Sequence, residues 1–373
     1  MRIGIDAHAA ERDGSGNCTY IRGLLTAILG LDADNQYILY ATEKNHPFYE
    51  SLPHRPNVRI RCLPPRHPAV RIPLFLGPAT FRDAVDILHV QYVAPPLHQG
   101  NLVATIHDLG FLHMPRSFSR FFIWRSKILV RRAARGAAKV ITGSEFSRRD
   151  IVSAYGLEDR TVEVIPNGVG PAFFEQAAPE AARRILSSYG VRKPYVLFVG
   201  RLNPRKNLVS LVRAFDRFKI EKKTPTQLVI AGRSDFATAK TLAEIKSIGS
   251  RDLVLTGFVR DGDLPALYQN ADMFLYPSLF EGSGLPVLEA MAAGTPVITS
   301  RTSALPETSC GSALLIEPEN EAEIAAAMLK LAEDTGFKAD LREKGRQTAK
   351  KFTWDAAARK TLRVYEEAAA ESR

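Results

Sequence analysis

Cysteine is scarce. Cys18, Cys62 and Cys310 are the only three in 373 residues, and they lie far apart. An odd, scattered set draws neither a disulfide framework nor a zinc cluster, and a reducing compartment is the simple reading. Long apolar runs are missing as well. None approaches the ~18 residues needed to cross a bilayer, and Met1-Arg2-Ile3-Gly4-Ile5-Asp6 predicts no signal peptide. Glycine and proline, at 25 and 23 residues, are near ordinary usage, so collagen-like and low-complexity chains are excluded. Acidic residues are absent from two long stretches. Residues 51–82 hold six Arg and no acid, and 109–144 hold eight Arg or Lys and no acid.

What is present reads as a globular α/β chain. The composition is 45% hydrophobic and 24% charged, which excludes wholesale disorder. The length suits two domains of roughly 150–200 residues better than one core. Net charge is +10, which admits nucleic acid, an anionic membrane or a phosphorylated ligand as partner. Short apolar, β-branched runs recur at 2–6, 37–41, 58–63, 87–91, 102–107, 139–142 and 162–165. A second set follows at 195–200, 228–232, 253–257, 273–277, 296–299 and 314–317. Apolar nearly throughout, they predict buried parallel strands. Helical patterns alternate with them at 20–31 and 118–135, then near 206–219, 237–248, 263–270 and 286–293, and three more are expected after 317. This alternation predicts two doubly wound parallel sheets in series. Asn-Gly, Gly-Pro and Ala-Pro breakers cluster at 167–179, the expected join.

The strongest constellation is Tyr276-Pro-Ser-Leu-Phe-Glu281-Gly-Ser-Gly-Leu-Pro-Val-Leu-Glu289-Ala-Met-Ala-Ala-Gly294-Thr-Pro296-Val. A strand ends, a glycine loop follows, and a helix opens with Pro286 in its first turn, where proline is tolerated. Ligands of open α/β sheets bind just past the carboxyl ends of strands, and backbone N–H groups there meet anions. Glu281 and Glu289 bracket the loop, on the order of 10 Å apart along the axis at 1.5 Å per residue. That spacing reaches two hydroxyl-bearing ends of one nucleotide-sugar. The plainer reading is a capping glutamate and a surface helix glutamate.

A second constellation is Val199-Gly200-Arg201-Leu202-Asn203-Pro204-Arg205-Lys206-Asn207-Leu208, closing a strand and opening a helix. The helix N-terminus, Arg201 and Lys206 make a diphosphate clamp without a metal, against the alternative of solvated loop charges. In Thr105-Ile-His107-Asp108-Leu-Gly110, His107 ends an apolar strand where ligand contacts fall, although a lone histidine is more often structural. Asp13-Gly14-Ser15-Gly16-Asn17 starts a dinucleotide fingerprint that fails at Thr19. Gly14 and Gly16 then form either a loop that admits a phosphate or an acceptor, or a plain turn. The triplets Asp32-Ala-Asp34 and Asp261-Gly-Asp263 follow no buried strand and read as caps or turns, so no metal ligand set is visible. On a helical wheel, 118–135 puts Phe118, Phe122, Ile123, Leu129, Val130, Ala133 and Ala134 on a core face. Arg120, Arg125, Lys127, Arg131, Arg132 and Arg135 lie opposite, with Phe121, Trp124 and Ile128 among them. That face suits an anionic membrane interface or a solvated crossover helix. No nucleic-acid recognition module is legible.

Glu281 to Glu289 resembles the E-x7-E motif of the retaining family 4 glycosyltransferases, and Gly200-Arg201-Leu-Asn-Pro-Arg-Lys206-Asn207 resembles their donor-phosphate segment. Ser144-Glu-Phe-Ser-Arg-Arg-Asp150-Ile, Val164-Ile-Pro-Asn167-Gly168-Val, Ala231-Gly232 and Thr256-Gly257-Phe-Val resemble further blocks. The likeness runs from Ile3 to Tyr365. It implies a GT-B fold, two Rossmann-like domains facing across a cleft. The acceptor-side domain would take 1–170 plus a returning C-terminal helix, 354–373, and the donor domain 178–353. It implies that Arg201 and Lys206 bind the donor diphosphate and that Glu281 contacts sugar hydroxyls. Gly282, Ser283, Gly284 and Leu285 would approach sugar and phosphate through their backbone. Glu289 would hold the ribose, His107 would sit beside the transferred sugar, and Gly14 and Gly16 would approach donor phosphate or acceptor. Ser283 stands where many members carry Phe, which alters the shape of the sugar pocket. The 105–115 segment looks closest to bacterial GDP-mannose-dependent mannosyltransferases of surface polysaccharides, lipopolysaccharide among them.

The implied reaction moves a hexose, mannose from GDP-mannose, to a hydroxyl of a glycan or lipid-linked glycan, with retention and with no metal or further cofactor. The same-class alternative is a UDP-sugar donor carrying glucose, galactose or N-acetylglucosamine. A nucleotide-sugar epimerase and a non-catalytic nucleotide-sugar binder are further alternatives, and the failed fingerprint disfavours an NAD oxidoreductase. The expected partners are the donor, the acceptor and anionic membrane through 118–135, without nucleic acid. The expected place is the cytoplasm, at or near the inner face of the membrane.

Overall fold

A computed structural model describes residues 1–53, 55–65, 67–234, 238–250 and 252–371. The expected helix start at Ala237 and the end of the last segment, 372–373, lie outside the described residues. The chain divides into two compact units. One comprises Met1–His113, Arg120–Gly168 and Trp354–Arg373; the other comprises Met114–Ser119 and Val169–Thr353.

The strands of the first unit are β1 (Arg2–Asp6), β2 (Gln36–Ala41), β3 (Val58–Cys62), β4 (Ile87–Gln91), β5 (Asn101–Thr105), β6 (Lys139–Thr142) and β7 (Val162–Val164). They pair in the order β3-β2-β1-β4-β5-β6-β7, all parallel. Parallel pairing needs crossovers that cover both faces, so central strands are apolar on both sides. In β2, Tyr37 and Leu39 enter one apolar cluster and Ile38 and Tyr40 the other. The first cluster is closed by the Gly16–Leu31 and Trp354–Ala370 helices; the second by Ile72, Leu76 and Ala79. Gly23 lets the two covering helices meet, since a Cβ there would stand 2.1 Å from the Trp354 ring. The edge strand β3 departs from the all-apolar pattern: Arg59 and Arg61 make it half-exposed.

The second unit repeats the plan with β8 (Tyr195–Val199), β9 (Gln227–Ala231), β10 (Leu253–Gly257), β11 (Met273–Tyr276), β12 (Val297–Ser300) and β13 (Leu314–Ile316). Their order is β10-β9-β8-β11-β12-β13, again parallel. Val196, Leu197, Phe198, Phe274 and Leu275 are wholly buried at its centre.

The helices Glu145–Tyr155 and Pro179–Ser188 carry no sequence expectation, and two further segments differ from the sequence reading. Residues 68–83, crossed by Pro68, Pro73 and Pro78, carry no helical expectation, yet they run as Pro68–Arg71, a π-turn at Ile72–Leu76 and Gly77–Asp83. The wider π register accommodates an interior proline that a regular α-turn would reject. The basic helix starts at Arg120 rather than 118. Its buried residues are Ser126, Val130, Ala133 and Ala134, and Phe122, expected inside, is exposed.

Candidate active site

Strand order in the second sheet reverses between β8 and β11. The crevice past the carboxyl ends at such a reversal is where open parallel sheets bind ligands. The 200–207 and 277–284 loops leave the sheet there. A Cβ on Gly232 would stand 1.8 Å from the Gly200 carbonyl oxygen, so only glycine lets the turns after β8 and β9 pack together.

Arg201 begins the first loop and is exposed. Lys206 closes one 3-10 turn, Pro204–Lys206, in which the Asn203 side chain accepts from the Arg205 N–H at 3.1 Å. The helix itself is Leu208–Lys222, beginning after Asn207 at φ +56, so Lys206 precedes it rather than lying in it. The Lys206 ammonium is buried and donates to the Glu281 carboxylate and the Tyr276 hydroxyl. It stands 4.8 Å from the Tyr276 ring centroid. Burial alone would push the Glu281 carboxyl up. The charges of Lys206 and Arg205 outweigh it and hold Glu281 below the usual range, hence ionised.

The 282–285 segment is clamped by its neighbours. The Glu281 N–H donates to Ser303 Oγ at 3.0 Å, and the Ser283 carbonyl accepts from the Thr308 hydroxyl at 3.2 Å. Gly282, Gly284 and Leu285 are buried and Ser283 is half-buried. Gly284, at φ +150, is the N-cap of the Leu285–Ala292 helix and gives it no side-chain cap. Glu289 on that helix is not grouped with Lys206. It is buried, so it is no surface glutamate, and it accepts from the Tyr268 hydroxyl at 2.9 Å. Burial lifts its pKa to about 8, the Tyr268 bond opposing and the Asp261 charge adding. Near neutral pH this carboxyl keeps a proton to donate.

In the first unit the order reverses between β1 and β4. His107 lies two residues past β5 rather than within it. Its Nε2 is within hydrogen-bond reach of the Gln91 amide, 3.0 Å from Oε1. The rings of Tyr20 and Tyr92 pack edge-on at 4.7 and 5.6 Å. Burial lowers the His107 pKa to about 4 against the pull of Asp108, so the imidazole is neutral. Tyr92 has φ +62 and is the centre of a γ-turn, with the Val93 N–H donating to the Gln91 carbonyl at 2.7 Å. Such strain concentrates at functional sites. Asp6, ending β1, accepts from buried Arg71 at 2.9 and 3.1 Å. Gly14 has φ +76. Ser15 caps the Gly16–Leu31 helix by accepting from the Cys18 N–H, and nothing lies within 4 Å of a Cβ built on Gly16. Asp32 shapes a turn, while Asp263 makes no capping bond at the helix it precedes and is held by side chains. Asp32 accepts from the N–H groups of Asp34 and Asn35, and Asp263 accepts from Arg260 and Tyr189.

Sequence reasoning missed Tyr276, Tyr268, Arg205, Gln91, Tyr92 and Arg71. Gln91 and Tyr276 end the strands at the two reversals, so the strand order, once known, would have singled them out.

Two family profiles match this chain. Residues 20–173 match "Glycosyltransferase Family 4" and residues 185–351 match "Glycosyl transferases group 1". The chain belongs to this glycosyltransferase family. The glycosyltransferase is 27% identical over 288 residues to O-antigen chain mannosyltransferase B of Escherichia coli, covering 76% of this chain and 75% of that one. It is 32% identical over 285 residues to the MMP alpha-(1->4)-mannosyltransferase of Mycolicibacterium hassiacum, covering 72% and 66%. Its fold matches Anabaena HepE, solved in complex with UDP-glucose, at a TM-score of 0.74 and 18% identity over 98% of this chain and 99% of that one. The architecture is therefore GT-B. Among the described residues, no helix is long and apolar enough to cross a membrane.

Proposed function

We propose that this glycosyltransferase transfers mannose from GDP-mannose to a hydroxyl of a glycan or lipid-linked glycan in polysaccharide synthesis. It does so in the cytoplasm at the inner membrane face, with retention of configuration and without a metal. The observation that carries the donor site is the buried Lys206–Glu281 pair at the β8/β11 reversal. An arriving diphosphate takes up the Lys206 charge and frees Glu281 to accept from sugar hydroxyls. Arg201 grips the same diphosphate with parallel N–H donors, and the 282–285 backbone faces it at a helix N-terminus. These groups stabilise the charge that grows on the leaving phosphate. Glu289, protonated and bonded to Tyr268, donates to the ribose. The acceptor attacks on the face the donor leaves, and the leaving phosphate takes the acceptor's proton. His107, neutral, offers a hydrogen-bonding ring to the transferred sugar without competing for that proton, while the 14–16 loop approaches phosphate or acceptor. The basic Arg120–Gly136 helix contacts anionic membrane.

The mannosyl donor is supported by the names of the two relatives. A UDP-sugar donor is the second reading, favoured by the UDP-glucose complex of HepE. A thermal-shift panel with GDP, UDP, ADP and NAD, with and without EDTA, separates them. A nucleotide at 100 times its Kd adds about 2.7 kcal/mol of apparent stability. A GDP-specific shift indifferent to EDTA is expected. A UDP-specific shift replaces the donor, and a GDP shift with no mannosyl turnover on any glycan acceptor makes the protein a binder. No shift with any nucleotide contradicts the proposal.

A further inference from the structure

Most of the exposed large apolar side chains fall in two places in the first unit, on 70–97 and on 121–128. The 68–83 segment buries Ile72, Leu76, Ala79 and Thr80 against the sheet. Its opposite face carries Val70, Leu74, Phe75, Pro78 and Phe81, with Leu74 64% and Phe81 53% exposed. Positions 70, 74, 78 and 81 are spaced as one helical stripe. A helix that meets water shows polar residues there; here Arg82 is the one exposed charge, and Arg71 is buried against Asp6. Asp83, its one acid, is buried and paired with Arg61.

The stripe is continuous with the basic helix. Gly77 packs against the 95–97 loop so closely that a Cβ would stand 2.3 Å from the Leu97 carbonyl oxygen. The Gln99 N–H donates to Thr80 Oγ1 at 2.8 Å. From the other side, Arg132 donates to the Pro96 carbonyl oxygen at 3.2 Å. Leu97, 76% exposed, stands between the two elements. On the helix, Phe121 and Trp124 are 68% and 60% exposed, beside Arg120, Lys127, Arg131 and Arg135, none of which pairs with a carboxylate among the described residues. The charge identifies the occupant. A surface with unneutralised cations beside protruding aromatic and aliphatic side chains fits an anionic bilayer, where cations meet phosphates and apolar groups reach the acyl boundary.

We propose that 68–83 and Leu97 form an apolar wedge that enters the bilayer next to the basic helix, making one composite seat on anionic lipid. The proposal rests on the membrane contact of that helix and adds a second element, which supplies insertion where the helix supplies attraction. Division of labour has a measurable signature. The wedge governs affinity at high salt, where screened charges count for little, and the helix governs the preference for anionic lipid.

The test is pelleting with vesicles of phosphatidylcholine alone or mixed with phosphatidylglycerol, read with Trp124 fluorescence. Wild type pellets strongly with the anionic vesicles and weakly with phosphatidylcholine alone, with a blue shift. The variant L74S/F75S/F81S, altered at exposed positions, loses about tenfold or more in lipid affinity with unchanged melting temperature and unchanged GDP-induced shift. R125E/R131E/R132E loses the anionic preference. If the serine variant pellets like wild type while the glutamate variant does not, the wedge is overturned and the helix contact stands. If wild type pellets with neither vesicle, both are overturned. If wild type is instead a dimer by light scattering that the serine variant dissolves, the face binds a second copy and the proposal falls.

Discussion

Lys206 and Glu281 sit 75 positions apart in sequence and meet because β8 and β11 are neighbours in the sheet. Each is nearly solvent-free, and the Lys206 charge is the largest of those that keep Glu281 ionised. Removing Lys206 leaves the buried Glu281 carboxylate with the Arg205 charge alone to offset its burial, and breaking a buried pair costs about 3–5 kcal/mol. Lys206→Met is therefore expected to lower the melting temperature sharply, and adding Glu281→Gln to recover most of the loss. Turnover should fall by at least ~100-fold in both. A double variant that is stable and active would show the pair to be structural only. The individual residues were legible as a cationic loop and a glutamate loop; their pairing was not, because it depends on strand order. Glu289 has the opposite electrostatics. Its pKa is lifted from 4.5 to about 8 by burial, so it favours the folded state most below pH 4.5. That contribution fades as pH rises toward 8. Urea midpoints at pH 5 and pH 9 should differ less in Glu289→Gln than in wild type, and parallel profiles would contradict a buried neutral acid.

At the scale of elements, the glycine loops separate what folding requires from what packing leaves open. Gly232→Ala would drive a Cβ into the Gly200 carbonyl, forcing apart the turns after β8 and β9. Lower melting temperature and lost donor binding are expected together. Gly16→Ala meets nothing within 4 Å and removes a flexible residue from a helix start. It should keep or raise stability by up to about 1 kcal/mol, and lower turnover if the 14–16 loop meets a substrate. Calorimetry and steady-state rates on both variants check this, and full activity in Gly16→Ala would make the loop a plain turn. The strands were legible because parallel sheets buried on both faces write continuous apolar runs. The 68–83 helix was not, because three prolines mask it and a π-turn absorbs one of them. The basic helix misled at Phe122: its periodicity fits a core face, but small Ala133 and Ala134 do the packing while Phe122 lies outside under Arg125, 5.7 Å from its guanidinium carbon.

At the scale of the molecule, two sheets of related strand order each offer a reversal point, and loops carrying candidate residues leave the sheets at or beside those points in both. One unit presents exposed Arg201 and the buried Lys206–Glu281 pair; the other presents a neutral histidine bonded to Gln91 beside a strained Tyr92. The duplication was legible as two successive sets of apolar runs. The identity of the residues around His107 was not, since Gln91 and Tyr92 are unremarkable in sequence and matter only where β4 ends. The most direct measurement is a crystal structure with GDP-mannose bound. The diphosphate is expected at the carboxyl ends of β8 and β11, within hydrogen-bond distance of Lys206 Nζ and Arg201, with Glu281 turned to the mannose hydroxyls and Glu289 to the ribose. A donor bound elsewhere, or bound there with the Lys206–Glu281 bond intact, would contradict the account.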